Sequence, residues 1–206
     1  MYRPSAFAVD DVSILHNVIR ERVFATLAAV VDGKVAFAYA PVVLDADGGK
    51  GAILFHLAAG NPLAALKDGA RVLASFMASD AYISPDWYAQ PGTVPTWNYV
   101  AVEGEGVLRR LSREELRQQI VDMSAQEEAK LLPKPPWQVD KVAAQRLEAL
   151  LNGIVGFSLP FESLFGKFKL SQNKSKEDFE GTIAGLEKRG DAASVAIARE
   201  MRRVGK

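Results

Sequence analysis

The sequence predicts an α+β fold built on an antiparallel β-barrel, with helices grouped at its periphery. Apolar strand-like runs fill the first half of the chain, whereas helical patterns gather in the second. Asp32-Gly33 separates two of those runs, and this dipeptide suits a tight hairpin because both central residues must reach positive φ. The βαβ alternation and the Gly-rich fingerprint of a parallel nucleotide-binding sheet are both missing.

The elements follow in order. Val12, Leu15, Val18 and Ile19 recur at helical spacing behind Asp10, a candidate cap, which places His16 on the polar side of a short opening helix. Strands are expected over 24–31 and 35–44, then a glycine-rich hairpin loop over 45–51 and a strand over 52–57. Lys50 in that loop is followed by glycine and a strand, so it is no phosphate-binding P-loop. Asn61-Pro62 opens a short helix, with Pro62 suited to its first position. A strand over 71–77 leads into a Pro/Trp-rich loop over 84–95. A long strand over 96–111 follows, and Gly104 and Gly106 are expected to weaken or bulge it. Ser112 and Glu115 form a capping box for a helix reaching about residue 130, where Pro133, Pro135 and Pro136 break it. A helix over 142–151, strands over 154–162 and 166–170, and helices over 176–188 and 192–204 complete the chain.

Composition narrows the function classes. The 206 residues contain no cysteine, which removes disulfides, thiolate metal sites and cysteine catalysis. No 18-residue apolar run offers a membrane span, and Met1-Tyr2-Arg3-Pro4 lacks a secretory leader's apolar stretch, so a cytoplasmic protein is expected. Net charge is zero, yet residues 166–206 carry ten basic and six acidic side chains. That excess admits nucleic acid as a partner, although a solvated helical surface accounts for it more simply.

Two histidines are few for a His-based metal centre, and no metal is expected. His56 precedes small residues and a helix start, where unpaired amides favour an anion, against the plainer reading of a helix cap. The segments 81–88 and 94–99 mix aromatic rings with hydroxyl and amide groups. Such a mixture suits a planar heterocycle, an interface, or a rigid loop packed on a barrel rim. Residues 168–174 combine lysines with amide side chains and could hold an anion or cap a barrel. No Gly-x-Ser-x-Gly elbow or marked carboxylate pair is present.

Together MYRPSAF, HLAAGNP, AYISPDWY, VPTWNYVAVEGEG and IVGFSLPFESLFGKFKLSQN make the chain closely resemble the PaiB family of FMN-binding negative transcriptional regulators. The resemblance spans the chain. It implies a pyridoxamine phosphate oxidase-like split β-barrel, antiparallel and of Greek-key type, over 1–170, with a C-terminal helical extension over 171–206. It also implies a homodimer with FMN at the subunit interface, and FMN contacts from Tyr39, His56, Asn61, Tyr82, Ser84, Trp97, Lys169, Gln172 and Asn173. A flavin-dependent oxidoreductase and a cofactor-less dimeric scaffold are the alternatives. The chain departs from the family pattern at Tyr39-Ala40, Phe55, Ala59, Asp80 and Glu103. Ala59 stands where the family carries arginine, whose planar fork grips phosphate through two hydrogen bonds. These departures predict weakened or lost FMN binding.

Overall fold

A computed structural model describes residues 1–205. Its elements are β1 (Ala8–Val9), α1 (Val12–Glu21), β2 (Phe24–Val31), β3 (Lys34–Pro41), β4 (Val43–Asp45), β5 (Ala52–Ala58), β6 (Arg71–Ile83), β7 (Thr96–Val107), β8 (Arg109–Arg110), α2 (Arg113–Ala129), α3 (Ala144–Leu151), β9 (Ile154–Lys169), α4 (Lys176–Arg189) and α5 (Ala192–Val204). The nine strands share one sheet in the order β3-β2-β6-β7-β9-β5-β4, with β1 and β8 also on β9. The path is open, ending at β3 and β4. This is the expected antiparallel α+β split barrel, with its ladder unclosed.

The β2–β3 hairpin forms as predicted. Asp32 and Gly33 take φ of 49° and 74°, and the register runs from Val31↔Lys34 to Phe24↔Pro41. The expected single strand over 35–44 divides. Pro41 has no N–H to continue the ladder. The Val42 amide donates instead to the Val23 carbonyl at 2.7 Å, and β4 beyond it pairs with β5. Gly104 and Gly106 do not interrupt β7. They permit close approach, since a Cβ at Gly104 would lie 2.3 Å from Phe161 Cε1 and one at Gly106 1.9 Å from the Pro160 carbonyl oxygen. β6 runs six residues past its expected end, and β9 passes unbroken through Pro160 and Gly166.

Two corrections concern α1. Asp11, not Asp10, caps it, accepting from the amides of Ser13 at 2.9 Å and Ile14 at 3.1 Å. Asp10 pairs with Arg3 instead. His16 is buried rather than on the surface. It lies about 60° from Ile19 around the helix axis, and the inward face defined by Leu15 and Ile19 is broad enough to include it.

The chain divides into two compact units. One comprises Met1–Val18, Met77–Val102 and Phe165–Lys206. The other comprises Ile19–Phe76 and Glu103–Leu164. In the second unit, Leu116 of α2 and Leu147 and Leu151 of α3 form a small core with Leu111, Ile120, Val139, Val142 and Ile154 around it. In the first, α4 ends at Gly190 with φ of 72°, the left-handed cap glycine accommodates best. Asp191 caps α5, and Arg202 of α5 grips Glu187 of α4 through two nitrogens.

Candidate functional site

The chemistry of the first unit collects on β7, β9 and the segments flanking them. Lys167 and Lys169 are two residues apart on β9, so strand geometry points both to one face. The Lys167 ammonium lies 5.3 Å from the ring centroids of both Tyr2 and Tyr99 and donates to the Tyr2 carbonyl at 2.9 Å. The Lys169 ammonium donates to Thr96 Oγ1 and, at 2.8 Å, to the Trp97 carbonyl. The Tyr99–Lys167 and Trp97–Lys169 contacts follow the spacing of an antiparallel β7–β9 ladder.

Lys174, just beyond β9, places its ammonium 4.3 Å from the Tyr88 ring centroid. Burial pushes the Lys169 ammonium below the ordinary lysine value, and the positive charges of Lys167 and Lys174 push it the same way. Among the described residues, none of the three lysines pairs with a carboxylate. Lys167 is only 8% exposed. A buried cation normally carries a counter-ion; at Lys167 the Tyr2 carbonyl and two ring faces stand in that place.

Beside it, Tyr82 of β6 and Trp97 of β7 meet edge to face, centroids 6.1 Å apart, and both rings remain partly exposed. Ser84 caps the 3-10 turn Pro85–Trp87 by accepting from the Asp86 amide at 3.3 Å. Gln172 closes the turn after β9, accepting from the Leu170 amide at 2.8 Å and donating to the Phe168 carbonyl at 2.6 Å. The exposed Asn173 makes no hydrogen bond with a described residue. The first unit therefore holds Tyr82, Ser84, Trp97, Lys169, Gln172 and Asn173 of the predicted set.

The other three predicted residues lie in the second unit. Tyr39 is 65% exposed on β3. His56 Nδ1 lies 2.9 Å from Oε1 of the buried Gln119 on α2. That amide oxygen can only accept, so the His56 Nδ1–H is the donor of this bond. Asn61 caps the 3-10 turn Pro62–Ala65 through the Leu63 amide at 2.9 Å. Phe55 fills the core against Phe157.

Sequence reasoning missed several groups. Lys167 was legible in the alternation Lys167-Phe168-Lys169. Asn98 is fully buried, its amide bonded to Ser171 Oγ at 3.0 Å, and only its place between two aromatic residues marked it. The buried Asp178 of α4 accepts from the Ala89 amide at 2.8 Å, 89 residues away, which no local pattern reveals. Tyr88 has a buried hydroxyl with no partner among the described residues, and burial raises it above the ordinary tyrosine value, with Asp178 adding to the effect.

The donor set fits FMN. The ammonium groups of Lys169 and Lys174, which meet no carboxylate among the described residues, have the charge to suit a phosphate dianion, and the Tyr82–Trp97 pair offers a surface to a planar ring. Among the described residues no three His, Asp or Glu side chains gather as a metal site, and no helix is long and apolar enough to cross a membrane.

Comparison with known proteins shows the family and the fold. Residues 1–163 match the family described as "Putative FMN-binding domain". The chain is 33% identical over 191 residues to Protease synthase and sporulation protein PAI 2 of Bacillus subtilis (strain 168), covering 91% of this chain and 89% of that protein. The fold is similar to the flavocytochrome Anf3 from Azotobacter vinelandii, with TM-score 0.59 and 15% identity over 87% of this chain and 78% of the other. It is also similar to the FAD and heme binding protein from Mycobacterium smegmatis, with TM-score 0.54 and 17% identity over 79% and 73%.

Proposed function

Because the chain belongs to the FMN-binding domain family, we propose that it binds FMN as a homodimer, with the phosphate at Lys169 and Lys174. The carrying observation is the cluster of three lysines that meet no carboxylate among the described residues, in which Lys169 holds its proton less tightly than an ordinary lysine. A phosphate there offsets repulsion that the protein leaves uncompensated. Two N–H groups of Lys169 are already engaged and one is left for a ligand. Tyr82 and Trp97 would flank the ring, whose redox chemistry belongs to the flavin.

A lysine is a point charge and grips phosphate less specifically than the planar fork of an arginine. FMN binding is therefore expected to be weaker than in a site that grips the phosphate with an arginine. Titrating the protein into FMN and following flavin fluorescence tests this. A saturable change with one site per chain supports the reading, and no change up to millimolar protein refutes it.

The second unit supplies a surface for the dimer. Val35, Phe37 and Tyr39 project from β3 and Phe24 and Val30 from β2, all more than half exposed. The paired register brings them onto one sheet face, beside a groove of about 420 Å³ lined by Ala28, Val30, Val35, Arg71 and Leu73. A contiguous apolar sheet face of this kind marks an interaction surface, and a symmetric copy of itself is the simplest occupant.

A role in negative regulation of transcription is the second reading, favoured by the likeness to the sporulation protein along most of the chain. The α4–α5 pair does not recommend itself as a DNA reader. Ile197, Ala198 and Met201 are buried, and Arg189, Arg202 and Arg203 are ion-paired. We read any regulation as acting through flavin occupancy. A salt-independent absence of promoter-DNA shift agrees, and a shift that weakens steeply with salt opposes it.

A further inference from the structure

Residues 164–205 lie beyond the segment that matches the family, yet they hold the aromatic loop before β7 in three ways and the start of β7 in a fourth. Asp178 accepts from the Ala89 amide. Gly181 and Gly185, one turn apart on α4, leave room for Trp87, since a Cβ at either would lie 2.2 Å from a Trp87 atom. Lys174 lies over the Tyr88 ring. Asn98, next to Trp97, is bonded to Ser171 Oγ and lies 3.5 Å from Met201 Sδ of α5. These contacts converge on residues 84–98, which carry Ser84, Tyr88 and Trp97.

We propose that Asp178 is a positioning residue for the flavin site, and that the α4–α5 hairpin sets ligand affinity by holding residues 84–89 in place. The inference rests on the FMN reading above. The Asp178 carboxylate ties down the amide of Ala89, an exposed residue, so on its loss water takes the amide and the segment is released at Ala89. The segment then becomes mobile, and the bound ligand must order it again, which lowers affinity without removing any ligand-contacting group.

The test compares Asp178→Ala with Asp178→Asn, whose amide oxygen can still accept from Ala89. Hydrogen exchange reads the Ala89 amide, far-UV circular dichroism checks the helices, and FMN titration reads affinity. In Asp178→Ala the expected result is Ala89 exchange at least tenfold faster and FMN binding roughly tenfold weaker, with helices retained. Asp178→Asn should restore both to within about threefold of the wild type. Unchanged Ala89 exchange overturns the proposal, as does wild-type affinity despite faster exchange. If Asp178→Ala fails to fold, Asp178→Asn decides: near-wild-type exchange and affinity support the acceptor role, and loss of both overturns it. No FMN binding by the wild type refutes the site itself, and this proposal with it.

Discussion

Trp87 lies against Gly185 so closely that a methyl group on the glycine would sit 2.2 Å from the indole Cδ2. Two glycines inside one helix weaken it by roughly 0.5–1 kcal/mol each relative to alanine. Here Gly185 leaves space for the Trp87 ring and Gly181 for the Trp87 backbone carbonyl. Gly185→Ala should therefore destabilise the protein by about 1–3 kcal/mol, because overpacking outweighs the gain in helix propensity. Urea denaturation measures it, and a higher midpoint than wild type would show the packing there to be loose.

Asn98 and Ser171 form a second fastener within the same unit. Both are buried, and Ser171 holds φ of 65°, which a serine adopts only when its surroundings require it. Asn98→Ala should cost about 1–3 kcal/mol, because the Ser171 hydroxyl is left buried without its partner. In a double-mutant cycle with Ser171→Ala the two losses should fall short of additive by more than about 0.5 kcal/mol. Additive losses would mean the pair does not act together.

Acid should act through the α2 capping box. Arg109 beside Glu115, with the Ser112 amide and hydroxyl, lowers the Glu115 carboxyl from 4.5 to about 2. A carboxyl depressed in the fold is protonated first in the unfolded chain as pH falls. Its contribution is complete above about pH 4.5 and drains away toward pH 2. Glu115→Gln should lose stability relative to wild type at neutral pH, with the gap closing across that window. A gap that stays constant down to pH 2 would contradict the assignment.

The apolar β2–β3 face makes its own prediction. Phe37→Lys places a charge at its centre while leaving the buried side of β3, Ala38 and Ala40, untouched. Light scattering on eluting protein should show a dimer for wild type and a monomer for the variant. A wild-type monomer at tens of micromolar, or an intact variant dimer, would remove this face as the contact.

Most of the fold was legible because its signals are local. The Asp32-Gly33 turn, the Ser112–Glu115 box and the period-two runs each specify geometry within a few residues. What local patterns left unread depends on distant partners. Gly104 and Gly106 suggest a bulge until Phe161 and Pro160 are seen against them. His16 looks polar until its helix is packed. The site divides similarly. The aromatic and lysine runs announce themselves, whereas the holding role of Asp178 exists only through Ala89.

The central claim is that Lys169 and Lys174 bind the phosphate of FMN, and comparing FMN with riboflavin tests it most directly. The two ligands share a ring and differ in the phosphate alone. Wild-type protein should bind FMN at least tenfold more tightly, and Lys169→Met should bring the two affinities together while leaving riboflavin binding nearly unchanged, since a charge-assisted bond is worth about 1.5–3 kcal/mol. Equal affinity for FMN and riboflavin in the wild type, or an undiminished preference in Lys169→Met, would contradict the account.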